Sequence, residues 1–469
     1  MAMNSTSTTS TNANEIYEAA IDCRFSLLEN KIPIDASGSY ILVSRRSPNQ
    51  RGGSPYINSN SQTYFEITSS SDLRNYLGSF AFIVKNHCEN EVAGGIAHDK
   101  VSLPWNPACM ISTMQLRING QGTPMENDSS TFYMYSNTMR VLTELSQTQI
   151  EGASSVFWTP AIGAEDDADT TLAGGISAAG QARTLQWFSD ADNTIIHNQR
   201  LLPFSYLFSS CNVAAQFELH KIEVFITWRA PETVCFHTAD DAHTNYFFVD
   251  DINLILNQQQ MTMFQNMLET RDVRTGKNTQ NIMYPYYEAF STSYTSSQNI
   301  IRNSVVNLDS VFLWFPQTIL TNGANYLQAC ANSISTFNSY YANMPVPTTP
   351  IALDITSKKC NVEIYYEYLR ACDKLNNHNF VPAITYDTGY ASEAIINNRD
   401  DATYFLYCTK FNNSLQPKLT SASELRLIPI QAPVGDGDWE STNCTAIVIL
   451  KRWICVTINP DGTITKLYQ

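Results

Sequence analysis

The stretch Asn245–Gln260, NYFFVDDINLILNQQQ, constrains this chain more than any other. Tyr246, Phe247, Phe248 and Val249 form an aromatic and β-branched run. After two acids, Ile252, Leu254 and Leu256 recur at every second position. A period of two places alternate side chains on one face of a strand, whereas a helix requires a period near 3.6. The stretch lies just past the middle of the chain, and the pattern before it recurs after it. Each side carries an extended set of strand-like runs, one helix-like run and a closing strand pair. The Asn245–Gln260 strand is therefore expected to close one β-sandwich, with the residues after Gln258 leading into a second.

Composition supports an all-β class. Only 16% of the 469 residues are charged, well below the usual quarter, and Asn, Ser, Thr and Gln stand in their place beside 24 Tyr and 22 Phe. Such a chain suits sheets joined by loops and makes poor solvated helices. Its length accommodates two domains of roughly 200 residues each plus a tail. The expected division is an N-terminal arm and linker over 1–54, a first sandwich over 55–258 and a second over 259–469.

The formal net charge of −15 opposes a role in neutralising phosphates, because nucleic-acid affinity comes largely from Lys and Arg displacing counterions. The local basic cluster SRRSPNQRGG, with Arg45, Arg46 and Arg51, reads as a surface linker. Eleven cysteines, an odd number with no C-x-x-C pair, lie scattered through apolar runs such as YFLYCTKF around Cys408. That distribution predicts buried thiols kept in a reducing compartment rather than a disulfide framework or a zinc site. MAMNSTSTTSTNAN has neither the basic flank nor the apolar core of a secretory signal, and no apolar run approaches the roughly 20 residues that span a bilayer. A soluble protein made in the cytosol is expected.

In chain order, Glu15–Asn30 has helical spacing (Ile16, Ala20, Cys23, Leu27). Strands are expected at Tyr64–Ile67, around Phe80, Phe82 and Val84, and over MISTMQLRI before the Asn119-Gly120 turn. Tyr133, Tyr135, Met139, Leu142 and Leu145 predict a helix over 130–146. Gly152–Ala182, rich in Gly, Ala and Asp, reads as a long loop standing off the sandwich. In the second half the expected strands are YPYYEAFSTSY, NIIRNSVV, LDSVFLWF, YFLYCTKF, SELRLIPIQ and TAIVILKRWICVTI, with a closing hairpin at Asp461-Gly462. KKCNVEIYYEYLRACDKLN is expected to begin extended and end as a short helix over 366–376.

Catalytic signatures fail on inspection. GGISAAG meets Ala179 where a nucleophile elbow needs its last glycine, and Asp166, Asp167 and Asp169 lack the rest of a calcium loop. His237, Asp240, Asp241 and His243 lie between two strand runs, with no helix to bring both imidazoles to one face, and read as a solvated loop. No catalytic, cofactor-binding or metal-ligating residue is assigned, and no enzymatic activity is expected. A lectin-like or carbohydrate-active sandwich would need carboxylates clustered in a groove, whereas the acids here fall mainly in loops. A receptor-binding or minor vertex protein built on jelly rolls is the nearer alternative, although neither a single repeated roll nor a heptad stalk is visible.

YFEITSSSDLRNYLGSFAFIVK, MQLRINGQGTP followed by STFYMYSNTMRVLTEL, RLLPFSYLFSS, YFFVDDINLILNQQQ and RWICVTINPDGTIT follow one another over about 400 residues. Their order resembles that of the double jelly-roll major capsid proteins of small eukaryotic DNA viruses, the polinton-like viruses and virophages. The resemblance implies two tandem antiparallel jelly rolls with one short helix in each, and a structural protein of the virion. It implies a homotrimer forming a pseudo-hexameric capsomer that tiles an icosahedral shell. Neighbouring capsomers, penton and minor capsid proteins and an internal membrane are then the expected partners, without direct sequence-specific nucleic-acid binding or any cofactor. Phe247, Phe248, Ile252 and Leu254 are assigned to the strand at the structural seam. The Gly152–Ala182 loop is expected to point outward, and the N-terminal arm to face inward and tie capsomers together.

Overall fold

In the first half, the computed structural model describes residues 41–46, 62–68, 73–92, 95–96, 101–102, 111–118, 126–128, 139, 142–143, 198–203, 221–228, 236–237 and 244–260. In the second it describes 280–294, 298–315, 334–353, 362–375, 382, 384–386, 390, 405–412, 421–431, 444–458 and 464–466. The Glu15–Asn30 helix and the Gly152–Ala182 loop lie outside these residues.

The first half contains β1 (Ile41–Arg46), β2 (Gln62–Thr68), β3 (Leu73–Val92), β4 (Gly95–Ile96), β5 (Val101–Ser102), β6 (Ile111–Ile118), β7 (Glu126–Asp128), β8 (Asn198–Pro203), β9 (Lys221–Trp228), β10 (Phe236–His237) and β11 (Thr244–Gln260). The second contains β12 (Gln280–Tyr294), β13 (Ile300–Val305), β14 (Leu308–Trp314), β15 (Ile334–Tyr341), β16 (Met344–Ala352), helix α1 (Val362–Ala371), β17 (Tyr407–Lys410), β18 (Ser423–Gln431), β19 (Cys444–Ile458) and β20 (Ile464–Lys466).

One topology occurs twice. With the short β4, β5 and β10 set aside, the first half has eight strands, and they form the sheets β1-β11-β3-β8 and β2-β9-β6-β7. In chain order those sheets read first–eighth–third–sixth and second–seventh–fourth–fifth. The second half, without β20, forms β12-β19-β14-β17 and β13-β18-β15-β16, which is the same order. Eight antiparallel strands in two four-stranded sheets with this order are a jelly roll. The fold is all-β, two jelly rolls in tandem. Among the described residues, no strand of one half pairs with a strand of the other.

The strand pattern explains the packing. In β9, Val224, Ile226 and Trp228 are buried and the intervening Glu223, Phe225 and Thr227 are only partly covered, as expected for a sheet with one face on the core. β14 departs from this rule, since all seven residues are buried. Its two apolar faces (Val311, Leu313 and Phe312, Trp314) are both covered, because the strand is interior to its sheet and α1 lies close by. The β15–β16 hairpin turns at Ala342 and Asn343, both with φ above +50°, and pairs Tyr341 with Met344. Two left-handed residues in a two-residue loop match the right-handed twist of the flanking strands.

Four details differ from the sequence reading. Ile41–Arg46 lies within the segment expected to be arm and linker, yet it is a strand paired along its length with β11, Ile41 opposite Gln259 and Arg46 opposite Leu254. Ile41 and Val43, both β-branched, suit an extended backbone. Helix α1 begins at Val362 and ends at Ala371, so the expected extended start of VEIYYEYL is wrong, as is the helix range 366–376. Burial of Ile364, Glu367, Tyr368 and Ala371, at spacings of three and four, shows what decided it: one helical stripe meets the core. β15 and β16 were not anticipated, because Ser, Thr and Asn interrupt the one and Pro345, Pro347 and Pro350 the other. Those prolines stand on an edge strand, where missing N–H groups are tolerated and discourage further pairing. Phe236–His237 is a short strand paired with Val101–Ser102 rather than part of a loop. The closing hairpin is present, with Ile458 opposite Ile464 around Asp461-Gly462.

Candidate functional site

The feature that can organise a multi-roll assembly is the contact between the rolls. In the first half, Met139, Leu142 and Thr143 have helical backbone and are buried. Leu142 and Thr143 each hydrogen-bond the second roll. The Tyr368 hydroxyl on α1 donates to the Leu142 carbonyl at 2.9 Å, and Thr143 Oγ1 lies 2.9 Å from the Tyr287 hydroxyl on β12. Both hydrogen bonds are buried and join residues 226 and 144 positions apart. Desolvation raises the Tyr368 pKa well above its ordinary value, so the phenol keeps the proton it donates.

Aromatic rings continue inward from this contact. Tyr368 meets Tyr390 (centroids 5.9 Å apart), Tyr390 meets Phe405 (5.1 Å), Phe405 meets Tyr407 (4.9 Å) and Tyr407 meets Phe337 (5.1 Å). Tilted and edge-on contacts at these separations stabilise beyond simple area burial. The polar tips are satisfied within the roll: Tyr390 donates to the Leu406 carbonyl at 3.0 Å and Tyr294 to the Pro429 carbonyl at 2.9 Å. The seam is thus braced by the second roll's own core.

At the far end of α1, a buried ionic network fixes the helix to its sheet. Asp373 follows the helix with φ +59°, and its N–H bonds the Arg370 carbonyl at 3.0 Å, closing the last turn. Its carboxylate accepts from Lys410 and from Lys451, the latter at 3.3 Å. The same two lysines reach Asp309 Oδ2 at 3.5 and 3.7 Å, and Ser310 Oγ donates to that oxygen at 2.8 Å. Burial alone would raise the Asp373 carboxyl, but Lys451 and Lys410 together outweigh it and hold it below its ordinary value. Two cations beside the carbonyl end of a helix also suit its dipole.

Cys372 and Cys408 are free and buried, as the sequence suggests. Desolvation pushes the Cys372 thiol up to about 12 and Cys408 well above its ordinary value, which disfavours the nucleophilic thiolate. Among the described residues, no group of three or more His, Cys, Asp and Glu side chains is placed to hold a metal ion. Among the same residues, no helix is long and apolar enough to cross a membrane.

Phe247, Phe248, Ile252 and Leu254 all lie on β11, opposite Cys88, His87, Val84 and Phe82 of β3. Arg46 of β1 faces Leu254 from the other side, so the strand is interior to its sheet. The side chains of these four lie outside the described residues. Sequence reasoning did not single out Leu142, Thr143, Tyr287 or Tyr368 as contacts between the rolls. Each stands in an aromatic or helical run that the sequence displays, but nothing local names a partner more than a hundred residues away.

Removing one seam hydroxyl measures its contribution. Tyr368→Phe leaves the buried Leu142 carbonyl without this donor and is expected to lower unfolding free energy by about 1–3 kcal/mol. Chemical denaturation checks this; an unchanged midpoint would mean that the bond does not brace the seam.

No protein-family model matches the chain, and none of the curated proteins matches it in sequence. Solved structures match over almost its whole length. A chain of the Sputnik virophage solved by cryo-EM superposes with a TM-score of 0.54 at 11% identity, covering 92% of this chain and 89% of that one. The Faustovirus major capsid protein gives 0.53 at 9% identity, over 94% and 97%. The mavirus major capsid protein gives 0.52 at 9% identity, over 100% and 97%. At such identities the likeness is one of fold, and it extends through both rolls.

Proposed function

We propose that this chain is a structural major capsid protein of a small DNA virus, three copies of which form a pseudo-hexameric capsomer of an icosahedral shell. The observation that carries the reading is the repetition of one eight-strand topology in a single chain, with the two copies held by buried hydrogen bonds. Two similar rolls side by side supply two sixths of a hexagon. A heterologous contact that repeats by rotation closes into a ring, and three chains complete six rolls. The likeness to the mavirus and Faustovirus major capsid proteins supports the same role.

On this reading the chain divides in the connection between Gln260 and Gln280, and the first roll begins at β1, with the arm before it. Phe247, Phe248, Ile252 and Leu254 belong to the strand that shapes the seam. The role is mechanical rather than catalytic. Neighbouring capsomers, a penton protein for the five-fold vertices and minor capsid proteins are its partners, and the location is the virion after assembly in a reducing compartment. The net charge of −15 favours a shell around an internal membrane, or around a genome packaged by separate basic proteins, over direct genome binding.

The mass of the purified protein in solution, by light scattering at two concentrations, tests the reading. The expected species is near three times 52.6 kDa, or a larger closed particle. A strict monomer at both concentrations would overturn it.

A further inference from the structure

Two helices occupy equivalent places in the two rolls but have different surroundings. The helical residues 139 and 142–143 lie between β7 and β8, the fifth and sixth strands of the first roll. Helix α1 lies between β16 and β17, the fifth and sixth strands of the second. The first helix is covered by the next roll, through Tyr287 on that roll's first strand and Tyr368 on its helix. Helix α1 buries one stripe and leaves another uncovered. Val362 is 58% exposed and Tyr366, one turn further on, is 45% exposed. Residues at i and i+4 share one helix face.

Within the chain, therefore, the helix of one roll packs on the first strand and helix of the next. A heterologous contact of this kind does not satisfy both partners at once: it leaves the donor face of the last roll and the acceptor face of the first unused. On the second roll, the unused donor face belongs to α1. On the first roll, the strand equivalent to β12 is β1, since each is first in its roll and pairs with the eighth strand. Glu363 is exposed beside Val362, and β1 carries Arg45 at a position that alternates with that of Arg46.

We infer that the exposed Val362–Tyr366 stripe of α1 docks on strand β1 of a second copy of this chain, reproducing between subunits the contact made within one. The inference rests on the trimeric reading above and names the surfaces that close the ring. The apolar pair forms the centre of the contact and the Glu363 and Arg45 charges its rim, where complementary potentials steer encounter and fix register.

The double variant Val362→Asp/Tyr366→Asp tests it by light scattering beside the wild-type protein. Both side chains are exposed, so the circular dichroism spectrum and thermal midpoint of the isolated subunit are expected to be retained. The mass is expected to fall from three chains to one. A trimeric wild type with an equally trimeric variant overturns the inference and leaves the capsid reading standing. A monomeric wild type overturns both. A disulfide trap checks the receiving surface. Val362→Cys is combined in turn with Val43→Cys and Ser44→Cys, which occupy opposite faces of β1. One of the two pairings is expected to give interchain dimers and trimers on a non-reducing gel that neither single variant gives. A trimeric protein that yields none in either pairing overturns β1 as the partner surface.

Discussion

Asp309→Asn is expected to destabilise the second roll by about 3–5 kcal/mol, the usual cost of removing one partner from a buried ion pair. Asp309 is 3% exposed, and Lys410 and Lys451 beside it are nearly as buried. The substitution keeps the shape and the Ser310 contact but removes the charge that both ammonium groups face. Asp373 still faces both buried cations, but it stands partly in solvent, where screening weakens it. For a domain of this size the thermal midpoint is expected to fall by about 10 °C or more. Ser310→Ala is the control, since it removes one hydrogen bond and leaves the charges; it is expected to cost about 1 kcal/mol. Equal midpoints for Asp309→Asn and wild type would show that the lysines find other compensation.

Acid acts on the same network through Asp373. Its carboxyl titrates lower in the folded protein than in the unfolded chain, so its contribution is complete above the ordinary carboxylate range. That contribution is lost as pH falls through about 4 towards the depressed value. Neutral pH leaves this contribution untouched.

If the chain assembles as the proposed trimeric capsomer, Leu254→Asp is expected to abolish the soluble trimer. β11 is hydrogen-bonded to β1 on one side and β3 on the other, so residue 254 lies inside a sheet of the first roll. In sequence it alternates with Ile252 as on the apolar face of a strand, and a charge buried without a partner is costly. Arg46 lies opposite in the register and offers aspartate some relief. Leu254→Asn removes that relief, and the loss of trimer is expected there too. Light scattering with circular dichroism reads both variants. A trimer unchanged in mass and midpoint would remove Leu254 from the seam.

The strand content was legible because it is local. Alternation in QTYFEIT and TNYFFVDDINLILNQQQ states directly which residues can share a covered face, and each run is a strand. Repetition of the pattern in both halves pointed to two sandwiches. Where several backbone states could satisfy the same residues, local evidence misled. VEIYYEYL is rich in β-forming residues, yet it is helical, because Ile364, Glu367, Tyr368 and Ala371 face the interior together only in a helix. MPVPTTPIA carries three prolines and is nonetheless a strand, because an edge needs hydrogen bonds on one side alone.

The sequence by itself determined the period of most strands, the acidic, weakly charged composition and the burial of its thiols Cys372 and Cys408. Tertiary structure decided which strands became neighbours, that Leu142 meets Tyr368 and Thr143 meets Tyr287, and that Asp309 stands between two lysines 101 and 142 positions further along the chain. The physical reason is range. A periodic pattern records what one segment must bury, whereas the choice of partner is a property of the whole packed chain, where burial, hydrogen bonding and charge must be satisfied together.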